Sequence, residues 1–170
     1  MEEDYTIQTF ESIFEDYSDS IFRHFVFKIS DRDRSKELTQ EVFMRLWKTM
    51  SSGEAIDNPK SFLYKIAHNL YVNEYRDRKN HRSLEESMEQ GFDVEGETEQ
   101  DIFDNISTEE VIKLFEELKP SYREVLTMKL VDEYSVKEIS EILGETENSV
   151  SVRLHRAIQK IKTILENHDI

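Results

Sequence analysis

The chain has 170 residues, enough for one ordinary domain or two small ones, and carries a formal net charge of −15 with 35% charged and 37% hydrophobic residues. It contains no cysteine, which removes disulfide frameworks, thiolate metal sites and cysteine nucleophiles together. No apolar run approaches the ~18 residues of a membrane span, and the acidic start MEEDYTIQTF lacks a basic-then-apolar leader, so a cytoplasmic location without membrane insertion is expected.

Four glycines and two prolines are present, and no stretch keeps a strand period, so the predicted fold class is all-α. The first helix is predicted over 7–27, with Phe10, Phe14, Tyr17, Ile21 and Phe25 at helical spacing. The second is predicted over 35–50, with Leu38 or Thr39, Val42, Phe43, Leu46 and Met50 along one side. After the loop SSGEAIDNPK, Asn58 as cap and Pro59 at the first position start a third helix over 59–78, with Phe62, Ile66, Leu70 and Asn73 inward.

Residues 83–107 hold nine acids and no basic residue, and read as an acidic flexible linker between two small helical domains, 1–82 and 108–170. Three capping boxes follow: Ser107-x-x-Glu110, Ser121-x-x-Glu124 and Ser135-x-x-Glu138, each opening an apolar-periodic run. Helices are therefore expected over 108–118, 121–132, 135–143 and 147–166. The last two form a helix-turn-helix: Val136, Ile139, Ile142 and Leu143 give the short helix one apolar face, and Gly144 suits the left-handed turn. Thr146 caps the next helix, in which Val150, Leu154, Ala157, Ile161 and Ile164 form a buried stripe.

The charge is partitioned. Residues 1–82 carry a net −2, residues 83–107 a net −9 and residues 108–170 a net −4. Within the last segment, no Asp or Glu occurs from Asn148 to Leu165, while Arg153, Arg156, Lys160 and Lys162 do. At about 100° per residue, Asn148, Ser151, Val152, His155, Arg156 and Gln159 lie opposite the apolar stripe. A helix set against phosphates and base edges cannot carry carboxylates on that face. Arg156 suits guanine or a phosphate, Asn148 and Gln159 suit adenine or the DNA backbone, and the outward Val152 suits a thymine methyl. In the first half, KSFLYKIAHNLYVNEYRDRKNHR (60–82) interleaves six Lys and Arg with Tyr64, Tyr71 and Tyr75. Cations beside aromatic faces fit single-stranded nucleic acid for the segment as a whole, while any one tyrosine by itself is better read as packing against a neighbouring helix.

Three blocks in order, LTQEVFMRLW (38–47), NPKSFLYKIAHNLYVNEYR (58–76) and LKPSYREVLTMKLVDEYSVKEISEILGETENSVSVRLHRAIQKIK (118–162), resemble bacterial RNA polymerase sigma factors of the extracytoplasmic-function group. The resemblance implies that Glu41, Phe43, Arg45, Leu46 and Trp47 dock on a coiled coil of core RNA polymerase. It also implies that the loop from Ser51 to Lys60 captures a flipped −10 base, and that Asn69 meets the melted strand. With the basic-tyrosine reading, Lys60, Tyr64, Lys65, Asn69, Tyr75 and Arg76 become the single-strand candidates. The helix from Ser151 to Arg156, Arg153 included, would read the −35 duplex. Ser151, Val152, Ile158 and Asn73 depart from residues common at these positions in the family, so promoter sequences do not transfer. The implied partners are core polymerase, promoter DNA and an anti-sigma factor, with a monomer when free of polymerase and no cofactor. The linker's nine charges would mimic RNA in the polymerase's basic path.

The main alternative is a stand-alone helix-turn-helix regulator. It would need a basic surface of its own and a dimerisation element to match two half-sites. Catalysis has less support: the five histidines are scattered, none at HExxH spacing, and no Gly-rich phosphate loop occurs.

Overall fold

The structure, a computed structural model, describes residues 1–79 and 103–168. The chain divides into two compact units, Met1–Ser83 and Leu84–Ile170. All regular structure among the described residues is helical. The expected linker lies outside the described residues as far as 102.

The first unit is three helices: α1 (Glu2–Ile29), α2 (Arg32–Ser51) and α3 (Pro59–Lys79), each packed on the other two. Helix α1 starts five residues before the apolar pattern does, because Glu2, Glu3 and Asp4 in its first turn oppose the helix dipole favourably. It ends at Ser30, whose φ of 60° is left-handed and whose N–H donates to Val26 O. Asp31 then caps α2 by accepting from Arg34 N at 3.0 Å, which the sequence reading missed. Asn58 Oδ1 accepts from Ser61 N at 3.1 Å, as its place before Pro59 predicts. Ile21, Phe25, Val42, Leu46, Leu63 and Ala67 are fully buried between the three helices. Each large apolar side chain contributes about 1.5–3 kcal/mol by leaving water.

The same core holds polar groups. His24 and Lys28 are buried, with Lys28 Nζ 3.4 Å from His24 Nε2 and 3.7 Å from the centre of the Tyr71 ring. The Tyr64 ring meets His24 edge-on at 5.1 Å. Two of the three tyrosines of the basic segment are thus packing residues. Asn73, expected inward, is exposed.

In the second unit, the turn from Phe103 to Ile106 precedes α4 (Thr108–Glu116), and the Phe103 ring packs edge-on against Phe115. The packed structure therefore begins inside the stretch that composition assigned to the linker. Ser107 and Glu110 form the expected capping box. Helix α5 (Pro120–Leu126) does not use its predicted box: Lys119 is the N-cap, Pro120 takes the first position, and no side chain caps it. Proline fixes that start with a ring that has no N–H to satisfy, and Glu124 is buried instead. The helix expected to run to 132 widens into a π turn over Thr127–Val131, closed by Asp132 N to Thr127 O at 3.0 Å. Thr127 Oγ1 bonds back to Arg123 O at 2.7 Å, a contact that bends helices.

Helices α6 (Val136–Leu143) and α7 (Glu147–His168) complete the unit. Ser135 and Glu138 form their capping box, Gly144 has φ 67°, and Thr146 Oγ1 accepts from Ser149 N. The predicted stripe of α7 is buried in full, and Ile158 joins it.

Candidate nucleic-acid interface

Helix α7 packs on α5 and α6 through its apolar stripe, which fixes the face it turns outward. On that face Asn148, Ser151 and Gln159 are exposed, and Val152, His155 and Arg156 are half-buried. Among these positions there is no carboxylate. Arg153 lies at the edge, where its guanidinium donates to Glu145 Oε2 at 2.7 Å.

On α3 the outward ridge is Lys65, Asn69, Asn73 and Arg76, at spacings of 4, 4 and 3. All four are exposed, with Lys60 and Tyr75 half-buried beside them. Tyr64 is not part of this surface: it lies in the core against His24. The sequence reading therefore placed Tyr64 outside and Asn73 inside, the reverse of what packing selects. Of the segment's two acids, Asp77 is exposed next to Arg76 and Glu74 faces α2. Its carboxylate accepts from Arg34 Nε at 3.0 Å and Nη2 at 2.7 Å, while Arg34 Nη1 binds Glu37 at 2.7 Å. These two carboxylates, Glu74 first, hold the Arg34 pKa above its ordinary value. The loop 52–58 between α2 and α3 is exposed except at Ile56.

On α2 the five residues expected to dock on polymerase separate into two groups. Phe43 and Leu46 are buried, because the same helical turn must close the core against α1. Glu41 and Arg45 form an i,i+4 ion pair at 2.8 Å on the outer side. Trp47 is 38% exposed, with its ring edge-on to Phe10 at 5.3 Å. Two neighbours that the sequence reading missed extend this apolar surface: Met44, 61% exposed, and Phe14, which meets Phe43 at 4.9 Å. Phe14 had read as core by spacing alone.

Residues 13–81 match the family description "Sigma-70 region 2", and residues 108–161 match "Sigma-70, region 4". The chain belongs to the extracytoplasmic-function group of RNA polymerase sigma factors. The sigma factor YlaC of Bacillus subtilis is 26% identical over 154 residues, which span 89% of each chain. SigW of the same organism, an extracytoplasmic-function sigma factor, is 26% identical over 170 residues, covering 93% of this chain and 89% of SigW. In fold, the chain is similar to the sigma factor RpoE from Bartonella quintana, solved with the anti-sigma factor NepR. The TM-score is 0.68 at 18% identity, over 94% of this chain and 98% of that one. The three helices of the first unit are thus sigma region 2, and the helix-turn-helix unit is sigma region 4. Proteins of this family are promoter-recognition factors of transcription initiation, not enzymes. No helix among the described residues of this sigma factor is long and apolar enough to cross a membrane.

Proposed function

We propose that this sigma factor binds core RNA polymerase and directs it to a two-part promoter, with each unit reading one part. The observation that carries the reading is the outward face of α7, which its sequence clears of acids. Helix α7 has none from Asn148 to Leu165; on α3 Glu74 is held by Arg34, while Asp77 stays exposed beside Arg76. The α7 face so arranged accepts phosphates and base edges without carboxylate repulsion.

In this reading Asn148, Ser151, Val152, His155, Arg156 and Gln159 read the −35 duplex from the major groove, with Arg153 at its margin. The ridge Lys65, Asn69, Asn73 and Arg76, with Lys60 and Tyr75, holds the melted −10 strand, and the loop 52–58 captures a flipped base. Glu41, Arg45 and Trp47, joined by Met44 and Phe14, dock on the polymerase coiled coil, and Trp47 is the anchor. Tyr64, Phe43 and Leu46 support these surfaces from the core. An anti-sigma factor is a further proposed partner, since the similar sigma factor of Bartonella quintana was crystallised with one.

Co-purification with bacterial core polymerase, followed by run-off transcription from a random promoter pool, tests the whole reading. Association with selection of a two-part promoter is the expected result. Specific duplex binding without core association would make the chain a free-standing regulator and cancel the assignment of the first unit.

A further inference from the structure

Helix α7 holds no acid along its outward face, yet one carboxylate reaches it from outside the helix. Glu145 directly follows Gly144, and its N–H donates to Ser140 O at 3.0 Å, which fixes it in the turn. Its Oε2 accepts from Arg153 Nη2 at 2.7 Å and from Ser149 Oγ at 3.1 Å. Ser149 and Arg153 are one helical turn apart, so the carboxylate lies along the flank of α7. Helix capping does not account for this contact. Thr146 supplies the cap and Glu147 the first-turn acid, while the turn itself is secured by Gly144. The two side chains remain 22% and 32% exposed, within reach of an approaching anion.

We propose that Glu145 sets the duplex affinity of region 4 by occupying Arg153 in place of a DNA phosphate. The inference rests on the proposed role of α7 as the duplex reader. A phosphate arriving at that flank meets a guanidinium already paired at 2.7 Å, and the charge of its present partner. The helix therefore offers one cation fewer than its sequence contains. Such a residue keeps duplex binding weak in the free chain and makes promoter recognition depend on polymerase.

The test uses the full chain with Glu145→Gln, Arg153→Gln or both, assembled with core polymerase. Equilibrium binding to the promoter obtained from the random pool is measured across a salt series. Glu145→Gln is expected to tighten binding about fivefold at about 0.1 M salt and to steepen the slope of log affinity against log salt by about 1. Arg153→Gln leaves the carboxylate uncompensated and weakens binding, and the double variant returns close to the unmodified chain. Unchanged or weaker binding by Glu145→Gln, with thermal stability retained, overturns the proposal. The second of these results would make Glu145 a residue that presents Arg153 to DNA. Failure of the unmodified chain to bind core polymerase is a separate outcome, which defeats the proposed function and this inference with it.

Discussion

Glu74 sits in the most basic stretch of the first unit, and its position decides what the α3 ridge presents. Arg34 holds it with two hydrogen bonds, and the Glu74 side chain is 13% exposed against 39% for Arg34. A carboxylate so placed neither repels a strand on the ridge nor pairs with Arg76. Arg34→Ala should therefore act twice. It should lower the stability of the first unit by about 1–2 kcal/mol, between the ranges for exposed and buried pairs, as read by urea unfolding. It should also weaken opening of the −10 element, as read by permanganate footprinting. A loss of stability with unaltered opening would confine the pair to a structural role. On α7, Val152 is the one apolar residue of the outward face, and a small apolar group there fits a thymine methyl. Val152→Ser should relax a thymine preference at one position of the duplex element, as read by repeated selection from the promoter pool. An unaltered preference would remove Val152 from the reading face.

At the scale of the element, local chemistry fixed helix starts more reliably than it fixed which residues face inward. Ser107 and Ser135 cap as their boxes predict, while Pro120 overrides the box at Ser121. Ser135→Ala should lower the stability of the second unit by about 1 kcal/mol, whereas Ser121→Ala should change it by less than about 0.5 kcal/mol. Thermal denaturation of the two variants distinguishes them. The Glu110 carboxyl lies below its ordinary range because the Ser107 backbone N–H, and then its hydroxyl, bond the charged form. A depressed folded value means that this contribution is present above the unfolded value of 4.5 and is lost as pH falls through the folded one. Glu110→Gln should therefore flatten the acid limb of the second unit's stability curve. The eight-residue helix α6 and the stripe of α7 were legible in the sequence because their apolar residues occupy one arc. On α3, Phe62, Leu63, Tyr64, Ile66, Ala67, Leu70, Tyr71 and Val72 surround most of the helix. Periodicity there gives a helix but not its phase, which α1 and α2 set. That is why Tyr64 and Asn73 exchanged places, whereas Phe43 and Leu46 lay on the apolar stripe of α2 and read as docking residues from the family resemblance alone. The outward face of α7, by contrast, followed from its own apolar stripe.

At the scale of the whole molecule, the charge of −15 is concentrated where no helix is expected to read DNA. Residues 83–107 carry −9, against −2 for the first segment and −4 for the last. Solubility alone does not require that partition, since the same acids spread over both units would serve it. They would, however, place carboxylates on α3 and α7. Concentrating them between the units keeps them off the two proposed reading surfaces and gives a polyanionic segment with the charge character of RNA. A polymerase must hold its transcript in a basic channel, and the same field attracts such a segment at long range. Replacing the eight acids from Glu85 to Asp101 with Ser and Gln leaves Asp104 and the packed turn intact. The change should weaken assembly with core polymerase, with the difference shrinking as salt is raised. It should also alter the ratio of abortive to full-length transcripts, because a neutral segment no longer competes with the growing RNA. Assembly and transcript ratios that match those of the unmodified chain at every salt concentration would reduce the segment to a solubilising spacer. Promoter recognition by the two units would then stand without it.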